Sequence, residues 1–399
     1  MKVEQQAPNN AELESKNQKS GTQNPKPGTQ NSEPRTRNPK QSYPLNQIYF
    51  YLTEGCNLKC RHCWIQPKFQ GSGKSYPALD FDLFRSIIKQ AKPLGLSGVK
   101  LTGGEPLIHP QINQLLDHIR NEELRLTIES NGVCITPELS QKIKTCKNPF
   151  VSVSIDGVKS ETHEWVRGVP GCLDQATRGI RNLVEVGFKP QVIMSVMRRN
   201  VEEMEPLVAW AESQGAGSVK FNVVQPTARG EKMHDAGETL SIEELAELGE
   251  WVETKLSKKS GIRLVFSHPA AFHPLSRMFG ENGGGCGVCG IFGILGVLAD
   301  GSFALCGIGE TVKDLIFGHA RADELKDIWE NTSILKEIRE GLPNRLEGIC
   351  GECIMKGRCL GSCIAQNYYR SKNLWAPFWY CDEAKKLGLF PETRSRSLC

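Results

Sequence analysis

Three cysteines stand close together in "LTEGCNLKCRHCW", residues 52–64, at positions Cys56, Cys60 and Cys63. Thiolates are soft ligands that select zinc, copper(I) or iron–sulfur clusters. A loop with this C-x3-C-x2-C spacing can wrap three sulfurs round a small object. A structural zinc site that borrows a fourth ligand such as His62 fits, and so does a [4Fe-4S] cluster with one iron left open. The spacing favours the cluster, because zinc sites more often use C-x2-C pairs.

Eight further cysteines lie between residues 286 and 381. Their spacing is C-x2-C, a single cysteine, C-x2-C-x5-C-x3-C and a distant last cysteine: Cys286, Cys289, Cys306, Cys350, Cys353, Cys359, Cys363 and Cys381. Eight thiolates complete two sites of four ligands, as two closed [4Fe-4S] clusters or two zinc ribbons. For the cysteines left over we expect packing at Cys134, Cys146 and Cys172, and an exposed thiol at Cys399.

Composition excludes several classes of protein. The chain of 399 residues is 39% hydrophobic and has neither a membrane-spanning apolar run nor a secretory signal at its start. We therefore expect a cytoplasmic protein without a membrane partner, in which fifteen cysteines indicate metal or redox chemistry rather than disulfides. The net charge is +4, of which residues 1–44 supply +3. The remainder is no electrostatic footprint for nucleic acid.

Periodicity predicts the elements that must position these cysteines. Residues 1–44 are polar and predict a disordered arm. Six β-rich runs follow, at 47–53, 98–104, 124–130, 150–156, 190–196 and 218–224. Amphipathic helices are predicted at 80–92, 110–121, 137–145, 172–187 and 201–214, and another begins at Ser241 with Glu244 completing a capping box. A strand-like run, "IRLVFS", comes next.

This alternation predicts an α/β fold, a partial (β/α)6 TIM-like barrel. A cysteine-rich C-terminal domain follows it. The boundaries we expect are an arm at 1–44, the barrel at 45–265, the cysteine-rich domain at 266–385 and a tail at 386–399.

"CNLKCRHC" after the first strand and "LTGGEP" after the second resemble the radical S-adenosylmethionine (SAM) superfamily. The resemblance implies that the amino and carboxylate groups of SAM chelate the open iron, and that an electron from the cluster releases a 5′-deoxyadenosyl radical. It also implies SAM contacts at the ends of successive strands. Gly103, Gly104 and Glu105 would contact the amino group, Ser130 and Asn131 the ribose, and Arg167 the carboxylate. Ser154 and Asp156 would lie at the same edge of the sheet, and residues 224–226 beside the adenine.

The eight-cysteine region resembles the SPASM extension of many radical SAM proteins, which implies three [4Fe-4S] clusters in all. On that resemblance the ligands interleave. Cys286, Cys289, Cys306 and Cys363 hold auxiliary cluster I, and Cys350, Cys353, Cys359 and Cys381 hold auxiliary cluster II. The short Cys286–Cys289 spacing leaves open whether Cys286 is a ligand.

SPASM proteins act mostly on peptides, and the chain resembles maturases of peptide natural products (RiPPs), of the SynChlorMet-cassette or cyclophane-forming type. The predicted reaction is an oxidative crosslink in a ribosomal precursor peptide, either a carbon–carbon cyclophane or a thioether, with no acid or base identifiable from the sequence. Sulfatase maturases carry Asp after the third inner-cluster cysteine, where this chain has Gly307, which argues against that activity.

Alternatives are a peptide epimerase, a sulfatase-maturase-like enzyme, a radical SAM enzyme for a small molecule, and a non-catalytic iron–sulfur or zinc protein. The implied partners are the precursor peptide, a reductant such as flavodoxin or ferredoxin, and a separate peptide-recognition protein, because the polar arm is too short for a recognition domain.

Overall fold

A ten-stranded sheet forms the centre of the computed structural model, which describes residues 43–71, 73–279 and 289–396. The strand order is β12-β11-β10-β1-β4-β5-β6-β7-β8-β9, and a small separate pair joins β2 to β3. The strands are β1 Gln47–Tyr51, β2 Gly55–Cys56, β3 Lys68–Phe69, β4 Gly98–Thr102, β5 Arg125–Ser130, β6 Lys147–Ser154, β7 Gln191–Val196, β8 Ser218–Val223, β9 Arg263–Ser267, β10 Ile294–Val297, β11 Ser302–Ala304 and β12 Ile316–His319.

The α/β barrel fold is confirmed, with all six predicted strands present as β1 and β4–β8. The sheet is wider than predicted. β9 adds to β8, and β10 from the cysteine-rich segment pairs in parallel with β1, Gln47 opposite Ile294. β11 pairs with β10 and β12 pairs with β11, both antiparallel, and these strands form one edge of the sheet. The cysteine-rich segment thus begins as part of the same sheet.

Helices alternate with the strands along the chain and continue after the last strand. They are α1 Phe81–Ala91, α2 Ile112–Asn121, α3 Pro137–Lys144, α4 Ser160–Arg167, α5 Cys172–Glu185, α6 Met204–Ser213, α7 Arg229–Asp235, α8 Ile242–Trp251, α9 Ser257–Lys259, α10 Leu275–Phe279, α11 Leu325–Asn331, α12 Ser333–Gly341, α13 Gly348–Glu352, α14 Lys356–Cys359, α15 Ile364–Ser371 and α16 Trp379–Lys386. The predicted capping box at Ser241 and Glu244 is confirmed. A π-helical turn, Val252–Leu256, joins α8 to α9.

Side chains alternate along the strands because successive residues point to opposite faces. On β8, Val219 and Phe221 are fully buried, whereas Lys220 and Asn222 alternate with them and line a cavity. Lys100 on β4 has the same relation to Val99 and Leu101. The barrel therefore has an apolar outer layer under its helices and a polar interior.

Tyr43, at the end of the predicted arm, is bonded to the rest of the chain, since Trp329 donates its indole N–H to the carbonyl of Tyr43 at 2.8 Å. Residues 1–42 lie outside the described residues. None of the helices in the described part of the chain is long and apolar enough to cross a membrane.

The turn after β4 docks by its backbone onto the loop that carries the first cysteines. The amides of Gly104 and Glu105 donate to the carbonyls of Thr53 and Gly55 at 3.0 and 3.1 Å. A Cβ on Gly104 would lie 1.8 Å from the Gly55 carbonyl oxygen, and Gly103 has a φ of 128°. Only glycine permits this close approach.

Replacing Gly104 with alanine is expected to push the turn away from the cysteine loop, since the new methyl group overlaps backbone that cannot rotate aside. We expect a loss of stability of about 2 kcal/mol or more, measured as a lower midpoint of thermal unfolding. Gly357→Ala is the matched control, because a Cβ there meets nothing within 4 Å. An unchanged midpoint for Gly104→Ala would contradict the docking contact.

Candidate active site

A cavity of about 910 Å³ opens at the carboxyl edge of the parallel strands. Parallel α/β folds build their active sites at this edge. The predicted SAM-site residues lining it are Cys56, Cys60, Cys63, Gly103, Gly104, Glu105, Ser130, Asn131, Ser154 and Arg167. Asp156 and residues 224–226 do not line this cavity.

The spacing of the sulfurs tests what the cysteines can hold. A single tetrahedral zinc with bonds of about 2.3 Å draws its sulfurs to about 3.8 Å from one another. Within the described ranges, the one group of three metal-binding side chains whose donor atoms all lie within 4.8 Å of each other contains no cysteine. The described cysteines are therefore not gathered round one point as a single zinc would require, and thiolates are the usual ligands of iron–sulfur clusters.

Neighbouring segments fix the shape of the cysteine loop. Arg229 on α7 donates to the carbonyls of Cys60 and Pro67 at 3.1 and 2.8 Å. The side-chain amide of Asn131 donates to Asn57 at 2.7 Å. Neither Arg229 nor Asn57 is among the predicted site residues: Arg229 belongs to no motif, and Asn57 lies inside the cysteine motif, where only the cysteines and His62 are considered as ligands.

The Glu105 carboxylate joins neighbouring loops through hydrogen bonds, which leaves few of its lone pairs for a ligand. Its carboxylate accepts the hydroxyl of Ser130 at 2.8 Å, the amide of Asn131 at 2.8 Å and the amide of Leu107 at 3.1 Å. Burial raises its pKa to about 7, although these three donors lower it. The predicted contact with the SAM amino group would use the remaining lone pair of Glu105 or nearby backbone carbonyls.

Asp156 stands behind Arg167 rather than at the cavity wall. Its carboxylate is fully buried and lies 2.7 Å from the Arg167 Nε, and it accepts the amide of Ser195 at 2.8 Å. Arg167 also reaches Cys60, Nη1 to Sγ, at 3.5 Å. Arg167 thus presents its guanidinium to the cavity, and the role of Asp156 is to hold it there. The structure places Asp156 behind Arg167, and its contact with SAM stays a prediction.

A second, larger cavity of about 1380 Å³ shares His62, Trp64, Glu129, Ser195 and Asn222 with the first. Lys100 pairs with Glu129 at 2.6 Å across its wall. Burial lowers the pKa of Lys220 and lowers that of His62 to about 4. Of the residues predicted beside the adenine, Val224 and Gln225 line this larger cavity instead.

The remaining cysteines gather in two separate groups. Cys289, Cys306 and Cys363 line a cavity of about 330 Å³, and Cys306 and Cys363 also border the larger cavity. Another cavity, of about 290 Å³, is lined by Cys350, Cys353, Cys359 and Cys381. The structure therefore brings the described cysteines together in the interleaved arrangement that the resemblance implies. Cys286 and Cys399 lie outside the described residues.

Burial raises the pKa of most of these thiols, to about 11 for Cys63 and about 12 for Cys289 and Cys359. A buried thiolate needs a compensating positive charge, which a cluster iron supplies.

The leftover cysteines pack as expected in two cases. Cys146 and Cys172 are buried, Cys146 near the carbonyl of Leu116 and Cys172 against the cysteine loop. Cys134 is only half buried and accepts a hydrogen bond from Asn57 at 3.7 Å.

Comparisons with known proteins agree with this geometry. The family model of the radical SAM superfamily matches residues 50–211, and that of the SPASM iron–sulfur cluster-binding domain matches residues 286–354. The chain is 29% identical to the AdoMet-dependent heme synthase of Methanosarcina barkeri over 84% of this chain and 95% of that protein. It is 27% identical to the mycofactocin maturase MftC of Mycobacterium tuberculosis over 82% of this chain and 80% of that protein.

Among solved structures, SuiB of Streptococcus suis bound to its precursor peptide SuiA has the same fold, with a TM-score of 0.65 at 18% identity over 85% of this chain and 76% of that one. The cofactors are [4Fe-4S] clusters and SAM. The chain therefore carries a radical SAM domain, residues 50–211, and a C-terminal SPASM domain.

Proposed function

We propose that this chain modifies a ribosomal precursor peptide by removing hydrogen and forming an intramolecular crosslink, either a carbon–carbon cyclophane or a thioether. When bound, SAM and the cluster at Cys56, Cys60 and Cys63 supply a 5′-deoxyadenosyl radical. One observation carries the proposal. The cavity of about 1380 Å³ adjoins the proposed SAM site at His62 and Trp64 and reaches Cys306 and Cys363 on its other side.

A substrate in this cavity would lie between the place where hydrogen is abstracted and an acceptor for the electron that leaves. The balance is that of an oxidation. One hydrogen atom goes to the adenosyl radical, one electron goes to an auxiliary cluster, one proton leaves, and a new bond forms in the peptide.

The walls of the cavity suit a peptide. Lys100, Glu129, Ser195 and Asn222 offer donors and acceptors, while Trp64, Phe378 and Tyr380 offer apolar surface. Peptide bonds need both, because their N–H and C=O groups must be satisfied when buried. The likeness to MftC, named a maturase, and to SuiB, solved with a precursor peptide, supports a peptide substrate. A flavodoxin or ferredoxin would supply the electron, and a separate protein could present the peptide.

Gly307 argues against the sulfatase-maturase alternative on steric grounds. A Cβ at this position would lie 2.2 Å from the Tyr51 ring, and the Gly307 amide donates to the Tyr51 hydroxyl. Tyr51 thus occupies the space that a catalytic aspartate would need.

A second candidate is oxidation of an iron tetrapyrrole. Similarity to an AdoMet-dependent heme synthase over 95% of its length favours it, as does Lys220, which could pair with a carboxylate in the same cavity.

Co-expression with short reading frames that neighbour this gene tests the proposal. A crosslink predicts a peptide lighter by two hydrogen atoms per modification, with the bond located by tandem mass spectrometry. An unchanged mass with a D-residue would support epimerisation. An unmodified peptide, together with SAM-dependent mass loss from an added iron tetrapyrrole, would favour the second candidate and contradict the first.

Replacing Cys56, Cys60 and Cys63 together with alanine is expected to abolish SAM cleavage. About eight of about twelve irons should remain, because the auxiliary cysteines are untouched. Deoxyadenosine formation and iron content, measured under anaerobic conditions, check both parts.

Cys146→Ala is the matched control, since this buried cysteine lines none of the three cysteine cavities among the described residues. It should retain cleavage and iron. Cleavage at the native rate in the triple variant would show that the site is misplaced.

Introducing aspartate at Gly307 is expected to destabilise the protein by about 2 kcal/mol or more, because it overlaps Tyr51. We expect no gain of sulfatase-maturase activity. Gly307→Asp combined with Tyr51→Ala should recover part of the lost thermal stability. If the single variant unfolds at the native temperature, Tyr51 does not fill this space.

A further inference from the structure

Outside the cysteine groups, three buried side chains converge on one point. Nε2 of His268 lies 3.1 Å from Nδ1 of His273, and Oε1 of Glu253 lies 2.5 Å from His273 and 3.4 Å from His268. The side chains of His268 and Glu253 are 1% and 2% exposed, and that of His273 is 7% exposed. This is the group of three within 4.8 Å mentioned above.

The three distances suit a shared ion. In a triangle with these sides, one point on either side of the plane lies about 2.1 Å from all three donor atoms, the usual length of a bond from zinc to nitrogen or oxygen. An ion at such a point would stand about 1 Å out of the plane of the donors, with the coordination positions on its far side open. Two imidazoles and one carboxylate on one face are typical of non-haem iron(II) and catalytic zinc.

Local structure holds the three donors together. Glu253 lies in the π-helical turn Val252–Leu256, a kind of turn that occurs often at functional sites. His268 directly follows β9, and His273 follows a single 3-10 turn, Ala270–Phe272. Gly249 on α8 makes room for His268, since a Cβ there would lie 2.6 Å from its Nδ1.

An ionised carboxylate beside two imidazole nitrogens provides the charge that a divalent cation needs.

The group opens on the substrate cavity. His268 and His273 line the cavity of about 1380 Å³. Tyr380 lines it too, is 1% exposed, and its buried hydroxyl has no hydrogen-bond partner within the described part of the chain. A buried hydroxyl without a partner costs free energy, so this wall is built to receive a polar ligand.

We propose that Glu253, His268 and His273 bind a single divalent transition-metal ion, separate from the iron–sulfur clusters, whose open coordination positions face the substrate cavity. The ion would bind an oxygen of the substrate, such as a carbonyl or carboxylate, and so fix its position. The site does not depend on which substrate is modified.

Zinc is the probe for the test. Protein with intact clusters, purified anaerobically, is given one equivalent of Zn²⁺, desalted, and examined by elemental analysis and by X-ray absorption at the zinc edge. We expect about one zinc per chain, with nitrogen and oxygen neighbours at about 2.0–2.1 Å and no sulfur at about 2.3 Å. Binding should weaken at least about 100-fold in His273→Ala and Glu253→Gln, with iron content unchanged.

Two further variants separate a metal site from a general loss of structure. Gly249→Ala displaces His268 without removing a donor and should weaken zinc binding. His319→Ala, at a half-buried histidine bonded to the Asp300 carbonyl, should leave it unchanged. Failure to retain zinc, zinc with sulfur neighbours, or equal affinity in His273→Ala would each overturn the proposal and leave a hydrogen-bonded cluster without an ion.

Discussion

The backbone contact between Gly104 and Gly55 sets the geometry on which the rest of the site depends. It joins the end of one strand to the loop after another, at a distance that no side chain would allow. Glu105 extends this junction to the next strand through Ser130 and Asn131. Three neighbouring strand ends thereby become one rigid edge, and the cysteine loop is held on it from both sides.

This edge faces the polar interior of the barrel. A protein that only held a metal would not need such a cavity. Alternation along β4, β5, β7 and β8 places Lys100, Glu129, Ser195, Lys220 and Asn222 inside the barrel. The SPASM segment adds β10 to the same sheet, which brings Cys306 and Cys363 to the far wall of the cavity. The sheet topology thus separates the cysteines into three groups. One borders the proposed SAM site, another borders the proposed substrate cavity, and the third, with Cys350, lines neither of these cavities.

Much of this could be predicted, because the cysteine spacing, the Gly-Gly-Glu-Pro turn and the strand periodicity are local patterns. Other features depend on contacts between distant segments. Nothing in the sequence places Asp156 behind Arg167 or brings Arg229 to the carbonyl of Cys60. β10 is too short for its pattern to reveal that it pairs with β1. The group of Glu253, His268 and His273 forms only through a π-helical turn, which helical periodicity does not indicate.

In the proposed active site, SAM binds to an iron of the cluster at Cys56, Cys60 and Cys63. Electron paramagnetic resonance of the reduced protein, recorded with and without SAM, tests it most directly. SAM should shift the signal of one cluster in the native protein and shift nothing in the variant that lacks these three cysteines. A SAM-dependent shift that persists in the variant would contradict the account.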